Sequence, residues 1–593
     1  MVKRYLVTTA DEHTWPKGKP VLFLGEWCRR YSRKSEWKGL DADLESYHWD
    51  NRTKLHADYQ YLQELYEKSL ADLSQKLNQI HSVEYSQRYW RILVGPWLIC
   101  FIQILFDRWF MLKQAIEGGE ADRCKIKKRS SKSFVPMDMM HFNQLYTEDD
   151  WNEALYGELI KDLWIKELVI EEVFIKQQDA PSCHKRNSSY RYNWKKYLKK
   201  ISLKVIYNLN KIRVNGDDFF FISSYLPLKT DFMLQFKLGQ FPKKWFSVPY
   251  LLNAKLDVQK RQWKVKSCQN DDIFSKISGQ MIAKHIPIAY LEGYKELVNE
   301  ASKLAWPKKP KAIFTSNSYF SDDLFKCWAA EKVENGSPLI IGQHGGNFGM
   351  TPFASHEEHQ IKIADKWLSW GWHDTKRKQI VPIGNLKASE YTVRNNPKGK
   401  AIMVNMTLPR YSYYLYSVPI AGQWLRYFDD QKFFFKALPK EFHNKVLLRI
   451  YHQDYGWDQL NRWENDMPSV CIDHGKRSFH KMVSDSRIFI GTYNATTYLE
   501  TLAWNIPTIV FWNRDHWEIK NELEPVFLLL KKAKILHDTP EEAAHHLVKV
   551  WDEMDQWWMS DIVQKARKDF CDIFSYRNDK LLDDCNKLFN EYR

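Results

Sequence analysis

The chain has 593 residues, too many for one core at about 100 to 200 per domain, and its 44% apolar and 27% charged residues with 23 Gly and 22 Pro exclude collagen-like, low-complexity and mainly disordered classes. With 88 Lys and Arg against 73 Asp and Glu the formal charge is +15, and 26 Trp, 31 Tyr and 32 Phe suit stacking, so the expected partner is anionic: nucleic acid, a nucleotide-activated substrate or an acidic membrane surface. Nine cysteines between Cys28 and Cys585 with no CxxC exclude a disulfide framework or zinc knuckle and fit a reducing cytoplasm.

In chain order, the opening MVKRYLVTTADEHTW turns polar and acidic too soon for a secretory h-region, which predicts a protein that stays inside. The runs 5–8 and 21–25 read as opening parallel strands. Residues 54–118 follow as a helical insertion, with Leu62, Leu65, Leu70 and Leu73 near helical spacing. Its most apolar part, Ile92 to Phe106, is interrupted by Gly95 and Pro96 and is shorter than the roughly 20 residues a spanning helix requires. It reads as a buried helix, an interfacial one being the other reading. Residues 123–133 look like a basic loop, 151–175 like a helix with Asp149 or Asp150 as cap, and 218–223 like a buried strand.

A long helical pattern over 274–304 ends at the Pro-punctuated Trp306 to Lys311. Strand candidates then recur at 312–315, 339–341, 366–370, 401–405, 446–450, 470–472, 488–490 and 508–511, with helices between them. Apolar β-runs alternating with helices predict parallel, doubly wound sheets that bind ligands at their carboxyl ends. The predicted class is α/β, two Rossmann-like domains facing a cleft: 1–305 with helical insertions, 306–540, and helices 541–593 crossing back onto the first.

The segment from Ile488 to Phe511 runs strand, Gly491, hydroxyl and amide residues, helix, strand. Free N–H groups at that helix start, with Thr492, Asn494, Thr496 and Thr497, suit a phosphate, and Glu500 suits ribose hydroxyls; an ordinary helix cap is the alternative. GQHGGNFG, from Gly342 to Gly349, carries four glycines, Gly345 and Gly346 among them, so either a ligand approaches its backbone or the turn needs positive φ. Gln343 and His344 are expected to point donors into the cleft. Neither GxxxxGK[ST] nor GxGxxG is present, which disfavours ATP hydrolysis and NAD.

Asp231, after the strand and LPLK, stands where a nucleophile or base is carried, or is a first-turn helix residue; Glu158 lies among apolar neighbours where a raised pKa is conceivable. Arg410 and Arg449, at strand ends, need a phosphate or an internal carboxylate. The loop His48 to Arg52 reads as surface or acceptor-lining. No metal motif is convincing.

GQHGG, GTYNATTYLETLAWNIPTIVFWN, SSYLPLKTDFMLQFKLGQFP and NEALYGELI together resemble a family of transferases encoded in bacterial surface-polysaccharide clusters, related to the retaining β-Kdo glycosyltransferases. The resemblance implies a GT-B-like fold, a CMP-activated Kdo or related ulosonic acid as donor, no metal and no further cofactor. Asp231 resembles the family's nucleophile and Glu158 its second acidic residue, which implies double displacement with retention. On that reading Gln343, His344, Gly345, Gly346, Arg410, Arg449, Asn494, Thr496, Thr497 and Glu500 surround the nucleotide. A lipid-linked or oligosaccharide acceptor of lipopolysaccharide, O-antigen or capsule is the implied partner; peripheral contact with the inner membrane is expected from the net charge and such an acceptor, and no nucleic acid because the basic residues are dispersed and no RRM, KH or helix-turn-helix signature appears. Donors of another kind, a different nucleotide sugar or a CDP-polyol, are the nearest alternative; a basic RNA- or membrane-binding protein without catalysis is the distant one.

Overall fold

A computed structural model describes residues 3–129, 134–174, 207–266, 272–389, 392–475 and 477–593. The described residues build three parallel sheets. The first contains β1 (Arg4–Val7), β2 (Val21–Phe23), β3 (Ala42–Leu44), β4 (Ala121–Lys127) and β5 (Val169–Val173), in the order 3-2-1-4-5. The second, in the order 10-9-8-7-6, contains β6 (Phe220–Phe221), β7 (Ile313–Thr315), β8 (Leu339–Gly342), β9 (Lys366–Ser369) and β10 (Ile380–Pro382). The third, in the order 13-12-11-14-15-16, contains β11 (Ala401–Val404), β12 (Val446–Arg449), β13 (Cys471–Asp473), β14 (Ile488–Gly491), β15 (Thr508–Phe511) and β16 (Leu536–His537). Ala401 stands between Val446 and Ile488 in that register. Strand order reverses between β1 and β4 and between β11 and β14, so the outer sheets have switch points and the middle sheet has none.

The α/β class and parallel strands follow from the apolar runs, but the sheets number three. Phe220 and Phe221 pair with Ile313 and Phe314, so the middle sheet draws strands from both sides of position 306. The stretch from residue 123, read as a loop, belongs to the interior strand β4: Cys124 and Ile126 are buried at alternate positions, with charged residues beside and between them. Residues 130–133 lie outside the described part. The predicted helix 151–175 stops at Leu163, and β5 follows as an edge strand with an exposed pattern; residue 175 is outside the described part. Glu148 holds its N-cap position, which puts Asp149 and Asp150 in the first turn. The pattern over 274–304 breaks into Ile273–His285 and Tyr294–Ser302 around Pro287.

Pro96 opens the helix Gly95–Glu117 rather than breaking it. That helix is long and apolar enough to cross a membrane, yet 94% of its most apolar window is buried against the rest of the protein. The final helix, Leu581–Asn590, packs Leu581, Cys585, Leu588 and Phe589 against Phe219, Phe221 and Phe314 of the middle sheet and Leu234 of the helix Leu228–Lys237.

Ion pairs tie the first sheet to the third. Arg410, buried, bonds Asp149 Oδ2 at 2.6 Å and the carbonyl of Tyr455 at 3.1 Å, and donates to the carbonyl of Trp27. Tyr411 Oη donates to the other Asp149 oxygen at 2.6 Å. The loop expected at the surface is a junction: His48 is buried against Asp107 at 3.2 Å, and Arg52 makes a bidentate pair with Glu518. Breaking a buried pair by removing one partner strands the other charge, at about 3 to 5 kcal/mol. Arg410→Met is therefore expected to lower unfolding free energy in urea by that amount; wild-type stability would show that the link carries none of the fold.

Candidate functional site

At the carboxyl end of β6 the chain turns through Ser223, Ser224 and Tyr225. Ser223 (φ 48°) and Tyr225 (φ 56°) both occupy the left-handed region, a strained conformation for residues with a Cβ. The turn is pinned from β7: Ser316 donates its N–H to the Ser223 carbonyl at 3.0 Å and its Oγ to the Ser224 carbonyl at 2.9 Å. Ser224 Oγ in turn donates to Asp231 Oδ2 at 2.9 Å. Asp231 sits in the first turn of the helix Leu228–Lys237, only 1% exposed. Gln235 Nε2 donates to its other oxygen at 2.7 Å, and Lys244 Nζ stands 3.5 Å away.

The opposite wall belongs to the third sheet. The helix Thr496–Ala503 leaves β14 at the switch point, and no side chain caps it. Asn494, fully buried just before it, accepts from Tyr498 Oη at 2.9 Å, while its Nδ2 has no partner among the described residues. Thr496, Glu500 and Trp504 follow at steps of four and so lie on one helix face. The glycine loop of β8 docks on the first of them: Gly346 N–H donates to Thr496 Oγ1 at 2.8 Å. A Cβ on Gly345 (φ +144°) would stand 2.3 Å from that oxygen, so glycine is required by close approach as well as by conformation.

Between the walls lies a cavity of about 440 Å³. The 223–226 turn and residues 244–247 line one side; Phe479, His480, Glu500 and Trp504 line the other, and Lys387 joins them. Burial raises the Glu500 carboxyl to about 7, against the opposing pull of Lys387. Burial also lowers the Lys387 ammonium below the usual lysine range despite Glu500, and that ammonium lies 4.5 Å over the Tyr225 ring. Desolvation takes His344 down to about 4, Lys387 adding to the effect against a bond to the Ser316 backbone. The site thus offers a carboxylate that titrates near neutrality, a lysine, a neutral imidazole and aromatic walls. That set can accept a proton and hold an anion. Among the described residues no group of three His, Cys, Asp or Glu is placed to hold a metal.

Of the residues singled out from sequence, Glu500 lines the cavity and Asp231 lies one residue behind its opposite wall through Ser224 and Lys244. Gly345, Gly346 and Thr496 form the junction beside it, Asn494 precedes that helix, and Thr497 Oγ1 bonds Tyr493 Oη at 3.0 Å. His344 has its ring 6.4 Å from that of Tyr225, with Nδ1 buried and unpartnered. Others turn away. Gln343 faces inward, its Oε1 accepting from the Trp370 N–H at 3.0 Å and Trp372 Nε1 at 3.1 Å. Arg410 has Asp149 as its internal carboxylate, and Arg449 lies 3.8 Å from Asp473. Glu158 belongs to a separate cluster with Lys284 and His285, both at 2.8 Å. Burial alone would raise its pKa, but the interactions with His285 and Lys284 outweigh burial and hold it at about 2, opposite to the sequence expectation.

Sequence reasoning missed Lys387, Lys244 and Trp504. Trp504 was reachable from the step of four after Glu500; Lys387, in the connection between two sheets, carries no local signal.

The model of the LIC12162 family transferase matches residues 4–589, and the chain belongs to that family. No curated protein matches it. Among solved structures, the H444N variant of the wall teichoic acid polymerase TagF is 12% identical with TM-score 0.30, covering 49% of this chain and 75% of that one. The same variant soaked with CDPG gives 12%, 0.29, 50% and 74%, and TagF itself 12%, 0.27, 50% and 84%. These likenesses are distant, and the site is built from this chain's own residues.

Gly345→Ala is expected to cost about 1 to 3 kcal/mol of stability, because the new methyl meets Thr496 as well as an unfavourable φ. In a Thr496→Ala background the penalty should shrink. Equal penalties in the two backgrounds, measured by denaturant unfolding, would show that loop and helix are not coupled.

Proposed function

We propose that this member of the transferase family moves a group from a cytidine-nucleotide donor held in the cleft between the second and third sheets. Cytidine is the base implied by the sequence resemblance. The donor phosphates meet the uncapped start of the helix Thr496–Ala503, Asn494 Nδ2 and Lys387, and the rings of Tyr225, Trp245 and Trp504 are available for stacking. Lysines and helix amides meet the phosphate charge, so chelators are expected to leave activity unchanged; inhibition reversed by added Mg²⁺ would overturn that part.

A second choice concerns the group transferred. One observation favours a polyol phosphate from a CDP-activated donor over Kdo from a CMP-activated one: among the described residues the cavity wall carries a single carboxylate, Glu500, with a pKa near neutrality. Retention by double displacement needs two carboxylates at the reacting centre. Here both Asp231 oxygens are engaged behind the wall, and Glu158 is bound to Lys284 and His285. A direct displacement needs only one base. The acceptor hydroxyl gives its proton to Glu500, its oxygen bonds to the distal phosphorus of the donor, and the bond to the bridging oxygen breaks to release CMP. The acceptor is then a hydroxyl of a lipid-linked or oligosaccharide chain of a surface polymer, and the reaction takes place on the cytoplasmic side.

Glu500→Gln is expected to lower turnover by about a hundredfold or more while CMP still raises the melting temperature. The wild-type rate should climb as pH rises through about 7, where Glu500 loses its proton, and the variant should lack that limb. Wild-type turnover in the variant would overturn the assignment of the base. Phosphorus NMR of products separates the donors: a new phosphodiester from a CDP-polyol supports the reading, whereas transfer only from CMP-Kdo restores the retaining mechanism.

A further inference from the structure

Exposed apolar side chains concentrate in residues 207–266. Ile212 is 82% exposed, Phe236 75% and Leu251 73%, and Leu228, Met233 and Phe241 are exposed with them. The fold places several on one face. Helical residues 207–213 lie against the segment after the helix Leu228–Lys237: Asn210 Nδ2 donates to the Lys244 carbonyl at 2.8 Å, and the Arg213 guanidinium lies 4.4 Å over the Phe241 ring. Phe236 and Phe241 flank the turn at Gly239, whose N–H donates to the Phe236 carbonyl at 3.0 Å. Met233 and Phe236 share the helix face opposite buried Leu234 and Leu238.

The same 60 residues hold 11 Lys or Arg and 4 Asp. Two of those Asp are used internally, Asp218 by Lys243 at 2.8 Å and Asp231 by Lys244, while Lys237 reaches Asp583 at 2.7 Å. Lys211, Arg213, Lys229 and Lys255 remain among the exposed apolar groups.

We infer that this face docks on an anionic lipid bilayer, with Ile212, Phe236 and Phe241 entering the headgroup layer while the neighbouring cations meet lipid phosphates. Aromatic and aliphatic groups interleaved with Lys and Arg are the composition that such a surface selects. A second copy of the chain would bring the same positive charge to its own face, which opposes a symmetric dimer there. The stretch also supplies one wall of the cavity, Ser223 to Leu226 and Lys244 to Ser247, so docking holds the cleft beside the membrane. That an acceptor with a lipid anchor reaches the cleft this way rests on the transferase reading; the docking does not.

Sedimentation with vesicles tests it. The full chain is expected to pellet with phosphatidylglycerol and phosphatidylethanolamine vesicles and far less with phosphatidylcholine alone. Ile212→Asp combined with Phe236→Asp should cut the bound fraction about tenfold, with the melting temperature and its increase by CMP unchanged. The inference fails if the wild type stays in the supernatant with anionic vesicles or if the double variant pellets like the wild type. Light scattering that finds a dimer dissolved by the double substitution would assign the face to a second copy and overturn it too. Loss of the CMP response alone would count against the donor site and leave the docking face standing.

Discussion

Two separate sheets can share a ligand cleft only if something holds their edges at backbone distance, and here the contact between Gly345–Gly346 and Thr496 does so. The loop at the end of β8 has no room for a Cβ, and the helix after β14 begins on a threonine whose hydroxyl accepts the Gly346 N–H. From that contact the helix face carrying Glu500 and Trp504 is aimed at the turn after β6. The strained conformations of Ser223 and Tyr225 persist because Ser316 over-determines them, and they set the opposite wall.

Around the first sheet several carboxylates meet an opposite charge or a histidine. Lys127 pairs with Asp11 and Asp150, Arg129 with Asp150 and Glu153, Arg410 with Asp149, and Glu158 with Lys284 and His285. In the cleft between the other two sheets no ion pair joins Glu500 or Lys387 to a described partner, each has the charged form disfavoured by burial, and Asn494 Nδ2 and His344 Nδ1 have no partner within the described residues. A site whose polar groups are left unmatched in the protein alone is a site arranged for something else to match.

Much of the fold was legible because parallel strands buried on both faces announce themselves as apolar runs, and the helix after β14 by its glycine, hydroxyl and amide residues. β4 was hidden because its alternation of buried and charged residues resembles a basic loop when its neighbours β1 and β5 are unknown. The middle sheet was hidden for a related reason: Phe220 and Ile313 pair across more than 90 residues, and no local pattern encodes such a pairing. Site residues divided along the same line. Thr496, Glu500 and Asp231 sit in elements with readable local geometry, whereas the partners that take Arg410, Gln343 and Glu158 elsewhere come from distant parts of the chain.

The helix Leu581–Asn590 closes over Phe219, Phe221 and Phe314, the underside of the sheet whose β6 ends in the cleft turn. Until residues 581–590 have been made and folded back, those phenylalanines lack the side chains that cover them, so the sheet that carries the cleft turn is finished by a segment made long after its last strand.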